Sequence, residues 1–233
     1  MKKLSLFLLL SLLFSCSRMN MVELSGELEH GNGRMLHLSV LTAEGLQPVD
    51  SAVVRHNSFR FKLNSHKLKW LATGEPVFLQ LSFTSDNGFT TLARGGEKVH
   101  FKADANRLVS SYYVSGSKDA QLMWELDSAL ASFVRCTDTL LQVYHYYMDV
   151  DSVRSAVEQR YNKEVEVHRQ YLRGFIQSHP QSFSTMIAFY QGYNNLHFFD
   201  EAADADLLHS LTDSLVKYYP NSQYVRWLQS RTR

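Results

Sequence analysis

Tyr113-Val114-Ser115-Gly116-Ser117-Lys118-Asp119-Ala120-Gln121-Leu122-Met123-Trp124-Glu125-Leu126 carries the change on which the fold turns. Before it, apolar residues recur at every second position, as in strands. After it they recur at every third and fourth, as along one face of a helix. Ser117 is placed to cap the first helix, with Asp119 in its first turn, where a carboxylate meets the positive end of the helix dipole. The expected class is α+β: an N-terminal antiparallel β-sandwich or barrel over residues 22–115, then an α-helical hairpin bundle over 116–233.

Upstream of the change, short runs rich in Val, Leu and Phe predict strands at 22–28, 34–41, 49–54, 58–63, 77–83, 89–93 and 98–102. Phe59, Phe61 and Leu63 alternate with Arg60 and Lys62, and Val99 and Phe101 flank His100, so one face is apolar and the other wet. Gly31-Asn32-Gly33 has the composition of a tight hairpin whose turn residues take positive φ, and Asp86-Asn87-Gly88 and Gly95-Gly96 suggest the same for later pairs. The longest gap, 64–75, holds His66, Lys67, Lys69 and Trp70. Trp70 can fold over the open end of the β core. Alternatively Trp70, Lys67 and Lys69 contact a ligand, a glycan or peptide, or an anionic group.

Downstream, Leu122, Leu126, Leu130, Phe133, Leu140, Tyr144 and Tyr147 predict one long amphipathic helix or a broken pair. A second helix at 152–179 buries Val153, Val157, Tyr161, Val165, Leu172, Phe175 and Ile176 and ends at His179-Pro180, because proline disfavours helical geometry in the residue before it. Ser182 then caps a helix at 183–193. The arrangement recurs after Leu207, Leu208, Leu211, Leu215 and Tyr218, where Tyr219-Pro220-Asn221-Ser222 precedes a helix at 223–230.

The first residues speak to compartment. Lys2 and Lys3 precede an apolar run from Leu4 to Phe14, about half the length a spanning helix requires, and Leu13-Phe14-Ser15-Cys16 closes it. Residues 1–15 are expected to be a lipoprotein signal peptide, cleaved before an acylated Cys16, with a short linker to residue 21. Ser17 after the cysteine, and no acidic run in Ser17 to Asn20, favour the periplasmic face of the outer membrane.

With 24 basic and 23 acidic residues, the chain has no broad positive field to attract nucleic acid. Its 45% apolar fraction and 4 prolines are those of an ordinary globular protein. If Cys16 is acylated, Cys136 is the other of only 2 cysteines, so no intramolecular disulfide forms. Cys136 is either a small apolar residue beside the helix stripe or the site of a mixed disulfide with a partner. His168 falls within the second helix's apolar stripe with Glu164 one turn earlier. They are either a core histidine beside a solvated acid or a pair for proton transfer or metal binding. His145 and Asp149, and His209 and Asp213, share that spacing as solvated pairs. Asp200, Glu201, Asp204 and Asp206 lack the spacing and central glycine of a calcium loop. No nucleophile elbow, phosphate loop, dinucleotide fingerprint or zinc-protease motif occurs, so no catalytic residue, metal or cofactor is assigned.

Together, Val22-Glu23-Leu24-Ser25-Gly26, Asn57-Ser58-Phe59-Arg60-Phe61, Arg94-Gly95-Gly96-Glu97, Tyr113-Val114-Ser115-Gly116-Ser117, and the joints Pro180 to Ser182 and Pro220 to Ser222 resemble the front half of lipid-anchored thiol-disulfide oxidoreductases of the TlpA and ResA type. That resemblance implies a β domain and a helical segment, without the thioredoxin-like domain and its paired cysteines. It implies a non-catalytic envelope lipoprotein that binds or scaffolds, with a separate thioredoxin-like protein as a conceivable partner. The rivals are a glycan- or peptide-binding module built on Trp70, and an enzyme built on Glu164 and His168.

Overall fold

The computed structural model describes residues 21–232. The expected signal segment 1–15 and the acylation site Cys16 lie outside them. The protein is α+β, and its chain divides into two compact units, one up to Trp124 and one from Glu125.

In the first unit, β1 (Met21–Glu29), β4 (Ser58–Asn64), β7 (Lys98–Asp104) and β8 (Tyr113–Ser115) form one sheet in the order β4-β1-β7-β8. A second sheet, β3-β2-β5-β6, contains β2 (Met35–Thr42), β3 (Gly45–Val53), β5 (Val77–Thr84) and β6 (Asn87–Ala93). Pairing is antiparallel throughout these sheets except between β1 and β7, which run parallel. Neither sheet closes. Alternate residues of both point into one hydrophobic cluster, including Leu24, Leu38, Phe61, Leu79 and Phe101. Phe89 and Phe101 bring rings from the two sheets to 5.3 Å, and Phe89 stacks on Tyr112 at 4.1 Å. Each such side chain, fully buried, contributes roughly 1.5–3 kcal/mol.

Two of the expected hairpins are crossovers. β1 and β2, on either side of Gly31-Asn32-Gly33, lie in different sheets, because both edges of β1 are occupied by β4 and β7. The Asn32 side chain instead accepts the His56 N–H at 2.8 Å. The tight turn with two positive φ angles is His56-Asn57, at 51° and 56°, closed by the Arg55 and Ser58 bridge. Gly95-Gly96 likewise carries the chain from β6 in one sheet to β7 in the other. β5 and β6 do form a hairpin, but its turn is Ser85-Asp86, with Asn87 and Gly88 already paired to Thr84 and Ser82. β3 begins before the expected strand and includes Pro48, tolerated because β3 is a sheet edge whose register shifts opposite it.

A short helix, α1 (Leu108–Ser111), precedes β8. The change of period is where helix α2 (Lys118–Tyr146) begins. Ser117 Oγ accepts the Ala120 N–H at 3.3 Å, and Asp119 pairs with the Arg94 guanidinium. The division between units falls inside α2 rather than at residues 115/116, because its first turns pack on the β cluster through Ala120 and Trp124. Trp124 Nε1–H donates to the Tyr112 carbonyl at 2.7 Å.

The second unit comprises the rest of α2, then α3 (Asp151–Ser178), α4 (Ser184–Tyr190), a small hairpin of β9 (Gly192–Tyr193) and β10 (Leu196–His197), α5 (Ala205–Tyr218) and α6 (Gln223–Arg231). α2 is one continuous helix, not a broken pair. The proline joints share a hydrogen-bond pattern. His179 N–H and Tyr219 N–H each donate to the carbonyl four residues back, and Ser182 and Ser222 N–H each donate to the residue before proline. Their hydroxyls differ: Ser182 Oγ accepts from Ser184 N–H at 3.3 Å, whereas Ser222 Oγ is buried without a partner among the described residues. α4 ends three residues earlier than expected, at Tyr190, because Gln191 turns extended and Gly192 and Tyr193 pair with His197 and Leu196.

Candidate functional site

The stripe along α2 is buried as expected at Leu122, Met123, Leu126 and Phe133, and then it emerges. Beyond Phe133 on α2 only Thr137 is buried, and before His168 on α3 only Val157. The distal halves of the two helices therefore form an arm whose apolar residues are mostly half-buried, with Leu141 exposed. Leu140, Leu141, Tyr144, Val157, Glu158 and Tyr161 line a cleft of about 310 Å³ between them. At the tip Tyr146 is 80% exposed, followed by Tyr147, Met148 and Val150, all exposed. Tyr and Met are residue types enriched at interfaces.

Glu164 and His168 are not brought together. Glu164 accepts from Arg160 at 2.6 Å, one turn in the opposite direction. His168 is enclosed among Phe133, Tyr171 and Phe198. Burial holds its ring below the usual histidine range, the bond to Gln191 opposing that in part, and Nε2 lies 2.7 Å from Gln191 Oε1. The Gln191 amide reaches the Leu126 carbonyl at 3.4 Å. That carbonyl only accepts, so it orients Gln191 with its oxygen toward His168 and makes Nε2 the protonated nitrogen. Neutral His168 thus ties α3 to α2 through Gln191, and an arginine is the stronger partner for the Glu164 carboxylate. Nothing in the sequence singles out Gln191, whose partners are distant along the chain.

The acidic residues 200–206 have structural partners. Asp204 accepts from Arg169 and Arg173, each at 3.0 Å, and both guanidinium groups lie over the Phe199 ring. Asp200 accepts the N–H groups of Ala202 and Ala203. Glu201 joins Arg231 at 2.8 Å and accepts the Tyr190 hydroxyl at 2.9 Å. Burial, and then the hydrogen bond to the Glu201 carboxylate, push the Tyr190 phenol well above its usual range. The spacing of Arg169 and Arg173 puts them on one helix face, but only the fold brings Asp204 to both. Among the described residues no group of three or more His, Cys, Asp or Glu could hold a metal ion.

Trp70 lies in a 3-10 helix, Lys69–Thr73, half-buried against the β cluster. The Lys67 ammonium bonds to Asp50 at 2.6 Å, while Lys69 is exposed. Cys136 is a half-buried free thiol. His145, His209 and Asp213 are exposed on their helices, and Asp149 is exposed in the turn between α2 and α3. Among the described residues no helix is long and apolar enough to cross a membrane. No protein-family model matches the chain, and no curated protein matches it.

Proposed function

We propose that this protein is a lipid-anchored component of a bacterial envelope that acts by binding another envelope protein through its α2–α3 arm, without chemistry of its own. The observation that carries the proposal is the uncovered apolar tip, Tyr146 to Val150, beside the cleft at Leu140 and Tyr161. Exposing this much aromatic and thioether surface has a cost in solubility that a partner would offset. In this reading the first unit is an open β-sandwich, supported by its shared two-sheet cluster, and the second is a bundle of helix hairpins, supported by the two proline joints. The partner suggested by the sequence resemblance is a separate thioredoxin-like protein, with Cys136 available for a mixed disulfide. Trp70 remains a ligand-contact candidate only through whatever face the β cluster leaves free.

A photoreactive amino acid placed at Tyr146, and at Lys102 on a sheet face as a control, tests the proposal in intact envelopes. A discrete protein adduct from position 146 alone is expected, and it disappears when Tyr147 and Met148 are replaced by Ser. Equal adducts from both positions, or none from either, would defeat the proposal. Acylation is tested separately, by incorporation of labelled palmitate that Cys16→Ser abolishes.

A further inference from the structure

Met21, the first residue of β1, pairs with Asn64, the last residue of β4, and its carbonyl accepts the Gly96 N–H at 2.7 Å. Three segments therefore converge where the chain enters the fold: the loop after β4, the crossover before β7, and the junction of β8 with α2, where Gly116 abuts the Lys98 carbonyl. Each brings lysines. Lys62 and Lys98 flank Glu23 on neighbouring strands. Lys67 and Lys69 follow Asn64, whose carbonyl and side chain accept the Lys67 N–H at 3.0 and 3.2 Å. Lys118 is the first residue of α2.

The acids at this end are mostly engaged. Glu23 pairs with Arg60 at 3.1 Å, Asp119 with Arg94, and Asp50 with Lys67, while Glu97 accepts the Arg94 N–H at 2.9 Å. Glu75, shortly before β5, is a further acid here. Lys62, Lys69, Lys98 and Lys118 are exposed, and none of them is in an ion pair among the described residues. At the far end of the same strands stand Glu27, Glu29 and Asp104, with Lys102 held by Glu27 at 3.5 Å, Arg107 by Asp104 at 3.7 Å, and exposed Arg55 lining a cleft with Glu27. Both ends thus carry both signs, and what distinguishes the entry point is its four lysines outside any ion pair among the described residues.

We infer that this lysine-ringed end of the first unit is a membrane-docking surface that binds the anionic headgroups of acidic phospholipids. The inference rests on acylation at Cys16. Covalent geometry limits the chain between Cys16 and Met21 to about 18 Å at full stretch, so an anchored Cys16 keeps this end close to the headgroups. There, unpaired ammonium groups are attracted by a negative surface potential that fades within a Debye length. Trp70, half-buried next to Lys69, has the apolar body and polar N–H suited to the same interface.

The test uses the non-acylated chain 16–233 carrying Cys16→Ser, sedimented with vesicles of phosphatidylcholine alone or mixed with phosphatidylglycerol. Binding to the mixed vesicles only is expected, weakening as salt is added. Replacing any one of Lys62, Lys69, Lys98 and Lys118 by Gln lowers vesicle affinity roughly fivefold, while Lys102→Gln has no effect. Equal binding to both vesicles, binding to neither, or an equal loss with Lys102→Gln overturns the inference. Palmitate incorporation without vesicle binding overturns this surface alone. Vesicle binding without palmitate incorporation overturns the anchoring alone.

Discussion

Gly116→Ala tests the junction where strand periodicity gives way to helix. Gly116 has φ +89°, and a Cβ built there falls inside the contact distance of the Lys98 carbonyl oxygen. An L-residue held in the left-handed region costs about 1–2 kcal/mol. The clash is harder to relieve than one with a flexible side chain, since Lys98 is held in β7 in register with Glu23. Forcing extra volume into such a site costs about 1–3 kcal/mol, so the total is about 2–5 kcal/mol, against the roughly 5–15 kcal/mol that holds a typical domain folded. Gly33→Ala is the companion variant. Its φ is +82°, but no atom lies within 4 Å of the added carbon, so it should lose only the backbone part, about 1–2 kcal/mol. Urea titration followed by tryptophan fluorescence in a Trp227→Phe background leaves Trp70 and Trp124 to report on the first unit. Equal losses for the two variants would show that the close approach of Gly116 to Lys98 plays no part and would refute the reasoning.

His168→Phe should cost about 1–3 kcal/mol at neutral pH, because the apolar ring fits among Phe133 and Phe198 but leaves Gln191 Oε1 unpaired. In the parent protein the His168 ring titrates below its ordinary 6.5. As pH falls through 6.5 the unfolded chain takes up a proton that the folded one does not, so stability is full above 6.5 and declines below it. Chemical denaturation at several pH values should show this decline reduced in His168→Phe, and an unchanged pH profile would rule out His168 as its source. Asp204→Asn should cost about 1–3 kcal/mol by removing a nearly buried carboxylate that serves two arginines, discounted because both guanidinium groups are partly exposed. A thermal melt of the second unit that shows no shift would mean the two ion pairs are idle.

What the chain decides locally, it states openly. The switch at Gly116, the Ser117 cap, the proline joints and the alternation of Phe59, Phe61 and Leu63 each depend on residues within a turn or two of one another, so propensity and period suffice to place them. Pairing is a different matter. Gly31-Asn32-Gly33 has the composition of a hairpin, yet β1 binds β4 and β7 because the energy of a sheet lies in cross-strand contacts between residues far apart in sequence. The same holds for the sites. Glu164 and His168 share a helix face by spacing, but the Arg160 charge and an apolar pocket separate their roles. Lys62, Lys69, Lys98 and Lys118 are unremarkable surface lysines on separate segments until strand register gathers them at one end. Only tertiary structure decides such groupings, since each is a sum over neighbours that the linear order does not make adjacent.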